Sequence, residues 1–230
     1  MPFHFIYEDF LEFLEKVDDE GEKWGLYNEI YLQPNREFLL GYWKNFEHFN
    51  LDVIKERVKR IKKGDYSNFL SLLNAINLKE LTLTSFKRCT DLIPPKKEVH
   101  LFFFVGFFSS DAFFMELNGK PVLGFGLERY KDFGSIPIMV AHEYCHFLQK
   151  VKGLKLNRVL KEGLCCAFSQ RAFPQKPLYE HLFIDRKTFN WLEERKEKII
   201  KNNGDIQLPE RSHYYIGYSI LKEDPIKFLR

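Results

Sequence analysis

The sequence predicts an α+β fold, in which a helical N-terminal part is followed by a small, mostly antiparallel sheet and then by further helices. Two patterns along the 230 residues predict this order. Apolar residues recur at helical spacing through about the first ninety positions, as in YEDFLEFLEKV. After Pro95, the continuous apolar run EVHLFFFVG is typical of a buried strand instead.

The N-terminal part contains five amphipathic segments that end at proline, asparagine or glycine positions. A sixth segment is ambiguous, because its threonines favour a strand. The spacing of Leu78, Phe86 and Cys89 fits a helix better, and Pro94 and Pro95 end it. The five predicted helices span 7–17, 22–32, 36–46, 51–63 and 66–76.

The predicted sheet is formed by segments 98–106, 111–117 and 120–130, with Asn118-Gly119 as a hairpin turn between the last two. Gly124 and Gly126 allow two interpretations. They can leave room for a peptide backbone at an exposed sheet edge, or they can mark a bulge.

Four further helices are predicted at 136–153, 156–173, 187–203 and 213–229. Ser135 is a candidate N-cap, and Pro137 falls in the first turn, where its missing N–H is not needed. We divide the chain into a helical region at 1–95 and a second region at 96–230, and expect them to form one compact unit.

Composition excludes several classes of protein. The formal net charge is only +3, so a concentrated basic surface for nucleic acid is not expected. The run LFFFVGFF is too short to span a bilayer, and the acidic N-terminus does not resemble a leader peptide. The four cysteines follow no secreted-scaffold spacing. We therefore expect a cytoplasmic protein with neither nucleic-acid nor membrane partners.

The segment AHEYCHFLQ, at 141–149, contains the motif H-E-x-x-H. Residues four apart lie on one face of a helix, so His142 and His146 can present two imidazoles to one ion. Glu143 is turned about the helix axis by about 100° from His142. This position suits a general base that acts on a water molecule better than it suits a metal ligand. The alternative is a structural helix whose histidines bind nothing.

A catalytic zinc site usually has three protein ligands and one open position. Glu162 can supply the third ligand, because a turn at Lys152-Gly153 and a second helix can return it to the level of His146. The following Gly163 allows close packing of that helix. Imidazole and carboxylate ligands suit Zn²⁺, although the sequence leaves another divalent metal open.

The segments MVAHEYCHFLQ, VLKEGLCCAF and HYYIGYSILK together resemble a family of predicted zinc-dependent proteases of the gluzincin type. The resemblance extends from about Leu101 to the C-terminus, and it implies that 96–230 is a zincin-like metallopeptidase region. It implies that His142, His146 and Glu162 bind zinc and that Glu143 is the base. Some gluzincins place an acidic residue four positions after the third ligand, where this chain has Cys166.

The predicted function is therefore hydrolysis of peptide bonds in a peptide or protein substrate by zinc-bound water that Glu143 activates. An oxyanion would need a further donor, for which Tyr214 and Tyr218 are the candidates and His213 and Tyr215 are weaker ones. Aromatic packing is the alternative role for this cluster.

Two other functions remain open from the sequence: a zinc hydrolase of a non-peptide amide, and a peptidase-derived regulatory module without catalysis. The sequence does not determine the oligomeric state. Cys145, Cys165 and Cys166 could act as soft metal ligands, but we interpret them as core residues, because a free cysteine behaves as a small buried hydrophobe.

Overall fold

A computed structural model describes residues 2–18, 22–46, 49–107, 111–201 and 208–229. It confirms the α+β class, with many helices and one small sheet. The predicted end of the helix at 187–203 lies outside these ranges. The described residues form two compact units, residues 1–79 with 97–133 and residues 80–96 with 134–230.

The two units do not follow the predicted boundary after residue 95. The sheet groups with the N-terminal helices, whereas most of the sixth helix groups with the C-terminal ones. That sixth segment is helical from Leu78 to Leu92, as its apolar spacing favoured. Two side chains of this helix explain the grouping. Phe86 contacts the Tyr144 ring edge-on at 5.2 Å, and Cys89 is fully buried.

The first unit contains short helices around a four-stranded sheet. A π-helical turn, Asn28–Leu32, continues the second helix, and 3₁₀ turns lie at Lys63–Tyr66 and Leu127–Arg129; a third, Phe133–Ser135, begins at the last residue of this unit. Its α-helices are α1 (Tyr7–Lys16), α2 (Lys23–Tyr27), α3 (Arg36–Trp43), α4 (Leu51–Arg60) and α5 (Ser67–Ala75), and the Leu78–Leu92 helix is α6. Its strands are β1 (Phe3–His4), β2 (His100–Phe104), β3 (Ala112–Leu117) and β4 (Lys120–Gly126).

The sheet has the order β1-β2-β4-β3 and is mixed. The β1–β2 and β2–β4 pairs are parallel, and only β3–β4 is antiparallel. The expectation of a mostly antiparallel sheet is therefore wrong. The chain leaves β2, forms β3 at one edge, and turns back through the hairpin so that β4 inserts between them.

The central position of β4 shows that both interpretations of its glycines, an exposed edge for a peptide and a bulge, are wrong. Since β4 pairs with β2 on one side and β3 on the other, it offers no free edge to a peptide. Its register with both neighbours runs without an inserted residue, so Gly124 does not mark a bulge. A β-carbon at Gly124 would overlap the ring of Phe113, so the missing side chain makes room for that ring.

Buried side chains from the helices fix the end of β2. Tyr31 donates a hydrogen bond from its hydroxyl to Val105 O at 2.8 Å and accepts one from Val105 N at 3.0 Å. The indole of Trp43 donates to Gly106 O at 2.7 Å. These bonds satisfy backbone groups beyond the last ladder position of the strand, which buried backbone requires.

The second unit is helical. Its central helix, α8, packs against both α7 and α12. The predicted C-terminal helix 213–229 is divided at Asp224, ahead of Pro225. After α6, the helices are α7 (Ile136–Val151), α8 (Arg158–Ala172), α9 (Leu178–His181), α10 (Arg186–Glu194), α11 (Lys196–Lys201), α12 (Ser212–Leu221) and α13 (Pro225–Leu229).

A helix that spans a lipid bilayer needs about 20 mostly apolar residues. Within the described ranges, no helix combines the necessary length with the necessary apolar character.

Candidate metal centre

Helix α7 presents the H-E-x-x-H motif from a buried position. The helix begins directly after Ser135, with Pro137 in its first turn, and it ends before Gly153, which has a φ of 65°. Glycine adopts this left-handed conformation without steric cost, so it allows the sharp reversal towards α8. The rings of His142 and His146 lie 4.8 Å apart between centroids. Both predicted imidazoles therefore share one face.

Helix α8 brings Glu162 to the same place. Its N-terminus is capped by Asn157, whose side-chain oxygen accepts a hydrogen bond from Leu160 N at 2.9 Å. The residue after Glu162, Gly163, faces Gly217 of α12, and a β-carbon on Gly163 would overlap the Gly217 backbone. The two glycines allow the helices to touch through their backbones, next to the Glu162 position.

The carboxylate of Glu162 lies between the two imidazoles. Its Oε2 atom is 3.1 Å from His142 Nε2 and 3.2 Å from His146 Nε2. Ligand atoms bound to one tetrahedral zinc ion at about 2.1 Å are about 3.4 Å from one another. The distance from Glu162 Oε2 to each imidazole nitrogen is thus close to the distance between two ligands of a common ion.

The protonation of these groups favours metal binding. Burial lowers the pKa of His142 to about 4, so this imidazole is neutral near neutral pH. Burial acts to raise the pKa of Glu162, but hydrogen bonds from His142 and His146 outweigh it and hold that pKa well below the ordinary value. A neutral imidazole and an ionised carboxylate are the forms that bind metal.

Glu143 is buried beside this cluster, with 6% of its surface exposed. Burial raises its pKa to about 7, while His146 acts in the opposite direction. A carboxyl group with a pKa near the working pH can both accept and return a proton. The position and the pKa of Glu143 are therefore suited to a general base.

His142, His146 and Cys165 form a buried group that could bind a metal ion. Cys165 and Glu162 contact different ring nitrogens of His146. The Cys165 Sγ atom lies 3.3 Å from Nδ1, whereas Glu162 faces Nε2. Burial, together with Cys145, raises the pKa of the Cys165 thiol well above its ordinary value. Because the Cys165 sulfur faces Nδ1 of His146, whereas Glu162 Oε2 lies within 3.2 Å of both Nε2 atoms, the Nε2 atoms and Glu162 form a second possible donor set.

The aromatic candidates occupy different places on α12. The Tyr214 ring lies 5.9 Å from the His142 ring, and burial with the charges of Glu162 and Glu143 raises the Tyr214 pKa. Tyr218 instead donates its hydroxyl to Gln170. Of the four candidates for an oxyanion donor, Tyr214 is the one whose ring contacts His142.

The two weaker candidates differ from each other. Tyr215 donates its hydroxyl to Glu193 at 2.7 Å, so its hydrogen bond is directed to α10. The His213 ring lies 4.5 Å from that of Tyr214, and its Nε2 atom is buried without a hydrogen bond in the described part of the chain. His213 therefore lies next to Tyr214, whereas the Tyr215 hydroxyl is directed to Glu193 instead of to the ligand histidines.

The sequence analysis did not identify two side chains near the cluster, Phe183 and Gln149. Phe183 lies 5.0 Å from the His142 ring in an edge-on arrangement, and Gln149 contacts the Cys165 sulfur at 3.1 Å. Helical spacing alone could have indicated that Gln149 and Cys165 lie near the predicted ligands. Gln149 follows His146 by three positions, and Cys165 follows Glu162 by three, so each shares a face with a predicted ligand.

We compared the chain with protein families, curated proteins and solved structures. No family model, no curated protein and no solved structure matches it. The resemblance to gluzincin proteases therefore stays a prediction.

Proposed function

We propose that this protein is a zinc-dependent hydrolase, specifically a metallopeptidase. The observation that carries the proposal is the position of Glu162 Oε2, 3.1 Å from His142 Nε2 and 3.2 Å from His146 Nε2. A carboxylate between two imidazoles gives three donors of the types that zinc prefers. In this proposal, His142, His146 and Glu162 hold the ion.

Bound zinc would supply a Lewis acid that polarises a carbonyl group and makes a water molecule more acidic. Glu143 would accept a proton from water and then deliver it to the leaving amine. Its raised pKa, about 7, supports both roles, because the carboxyl group can exchange a proton near neutral pH. A purely structural metal site would not need a buried base at this position.

Tyr214 is proposed as the hydrogen-bond donor to the oxyanion. Its hydroxyl stays protonated because burial raises its pKa, and the Glu162 and Glu143 charges act in the same direction. A protonated hydroxyl can donate to developing negative charge. Tyr218 is less suited, since its hydroxyl already donates to Gln170.

The cytoplasm is the proposed compartment, because all four cysteines are free and buried, as in proteins that fold under reducing conditions. The proposed partner is a peptide or protein substrate. Hydrolysis of a non-peptide amide uses the same groups, and it is the alternative that remains if no peptide is cleaved.

Metal analysis tests the ligand set. Wild-type protein is expected to bind about one zinc per chain, whereas His146→Ala and Glu162→Ala lose most of it. The matched control is His100→Ala, a histidine of the first unit, which should retain zinc. Unchanged zinc content in both ligand variants would remove the site from consideration.

A peptide-library assay tests the chemistry separately. Glu143→Gln should keep zinc but cleave peptides at least about 10²-fold more slowly, since a general base typically contributes that much. Full cleavage by this variant would contradict the assigned mechanism. Zinc binding without cleavage of any peptide by wild type would favour the non-peptide substrate or the regulatory alternative.

A further inference from the structure

The two predicted ligand histidines differ at the nitrogen that faces away from Glu162. His142 Nδ1 is buried and has no hydrogen-bond partner within the described ranges. His146 Nδ1, in contrast, lies 3.3 Å from Cys165 Sγ. When a metal ion takes the place of the Nε2–H hydrogen bond to Glu162, a neutral imidazole has its proton on Nδ1, and that proton needs an acceptor. Cys165 is in the position of this acceptor.

Gln149 holds the sulfur in place. Its side-chain amide donates to Cys165 Sγ at 3.1 Å and to Lys161 O at 2.9 Å. The amide nitrogen also lies 3.5 Å from Cys145 Sγ. Since only 4% of Gln149 is exposed, these contacts satisfy a buried polar group and at the same time tie α7 to α8.

We propose that Cys165, held by Gln149, is the positioning residue of His146: its sulfur accepts the Nδ1–H bond and fixes the orientation and tautomer of the imidazole. This inference rests on the proposed function, because it assumes metal binding at Nε2. It assigns to Cys165 the place that a carboxylate or backbone carbonyl takes beside many metal-binding histidines. It also separates Cys165 from the ligands, since Nδ1 and Nε2 point to opposite sides of the ring.

The charge of the site explains why a cysteine suits this position. Glu143 and Glu162 already place two carboxyl groups in a buried cluster. A third carboxylate there would add like-charge repulsion and a further desolvation cost. A thiol accepts a weaker hydrogen bond without adding charge, and it packs as an apolar group.

Zinc affinity of cysteine variants, measured by competition with a chromogenic chelator, tests the inference. Cys165→Ala should weaken zinc binding by about 10- to 100-fold, the effect usual for losing such a partner. Cys165→Ser keeps an acceptor and should restore much of the affinity. The matched control is Cys166→Ala, which removes a neighbouring, equally buried thiol that packs in an apolar cluster with Leu182 and Tyr215.

Cobalt(II) spectra of wild type and Cys165→Ala provide the readout that a merely structural role would not change. A positioning residue gives no thiolate-to-cobalt charge-transfer band in wild type, but Cys165→Ala should shift the visible bands because the imidazole orientation is lost. A thiolate band that disappears in Cys165→Ala would show that Cys165 is itself a ligand and overturn the inference.

The results separate this inference from the proposed function. If wild type binds zinc and Cys165→Ala binds it equally well, the inference fails and the metal site stands. If wild type binds no metal, the proposed function fails and the inference with it. Should Cys165→Ala not fold, Gln149→Met is the second variant, because it removes the donor to the sulfur but keeps the thiol. This variant should weaken zinc binding by about 10-fold. Unchanged zinc affinity would again contradict the inference.

Discussion

Gly163 of α8 and Gly217 of α12 face each other so closely that neither position has space for a β-carbon. On Gly163 the added atom would overlap the backbone of Gly217, and on Gly217 it would overlap the carbonyl oxygen of Val159. The obstacle in each case is main chain, which cannot move aside as a flexible side chain can. The separation of these two helices therefore depends on both glycines.

We expect Gly163→Ala and Gly217→Ala each to destabilise the protein by about 1–3 kcal/mol or more, because the added β-carbon overpacks a close contact between main chains. Urea unfolding followed by circular dichroism measures the change. Gly64→Ala is the matched control, since nothing lies within 4 Å of its added β-carbon. Equal stability of all three variants would contradict the close contact.

The two tyrosines of α12 should differ in their effect on hydrolysis. Tyr214→Phe is expected to lower kcat by about 10²-fold, as loss of an oxyanion donor does, with little change in zinc content. Tyr218→Phe breaks the hydrogen bond to Gln170 and should leave kcat within about 3-fold of wild type. Kinetics on one cleaved peptide compare them, and a larger loss for Tyr218→Phe would reverse the assignment.

Two buried tyrosines of the first unit, Tyr31 and Tyr27, differ in the hydrogen bonding of their hydroxyl groups. Tyr31 bonds both polar groups of Val105, so Tyr31→Phe should cost about 1–3 kcal/mol by leaving buried backbone groups unpaired. The Tyr27 hydroxyl is buried without a hydrogen bond in the described part of the chain. Tyr27→Phe should therefore be neutral or stabilising. Chemical denaturation of both variants gives the comparison, and equal losses would count against it.

His181 should make stability depend on pH. Burial lowers its pKa from 6.5 to about 4, although the carbonyls of Phe173 and Lys176 raise it, and the charge of Lys176 lowers it. The unfolded chain binds a proton below about pH 6.5, whereas the folded protein does so only near pH 4. The contribution of His181 is thus complete above about pH 6.5 and is lost as the pH falls towards 4.

The variant His181→Gln isolates this effect. Between about pH 7 and pH 5, wild type should lose up to about 2 kcal/mol more stability than the variant. All other groups are the same in both proteins, so their effects cancel in the difference. Parallel losses of stability in the two proteins would show that His181 is not buried in its neutral form.

The spacing of the histidines made part of the site predictable. His142 and His146 share a helical face by geometry alone, and Gly153 marked the reversal that brings Glu162 back to them. Cys165 and Gln149 could not be assigned in this way. A buried thiol that accepts a hydrogen bond has the same residue type and spacing as one that only fills space, so only the side-chain contacts distinguish them.

The sheet shows where sequence reasoning fails for the fold. The hairpin at Asn118-Gly119 is local, and the β3–β4 pairing confirms it. The insertion of β4 beside β2 is a long-range pairing, which the apolar run at 98–106 does not encode. The two-residue strand Phe3–His4 is too short to produce any alternation.

The burial of every cysteine has a consequence for chemical labelling. Cys89, Cys145, Cys165 and Cys166 are all fully enclosed, and they belong to α6, α7 and α8. An alkylating reagent can reach a given thiol only when its helix opens to solvent. The modification rate at each cysteine, followed by peptide mass spectrometry, would therefore report whether these three helices detach one at a time or together.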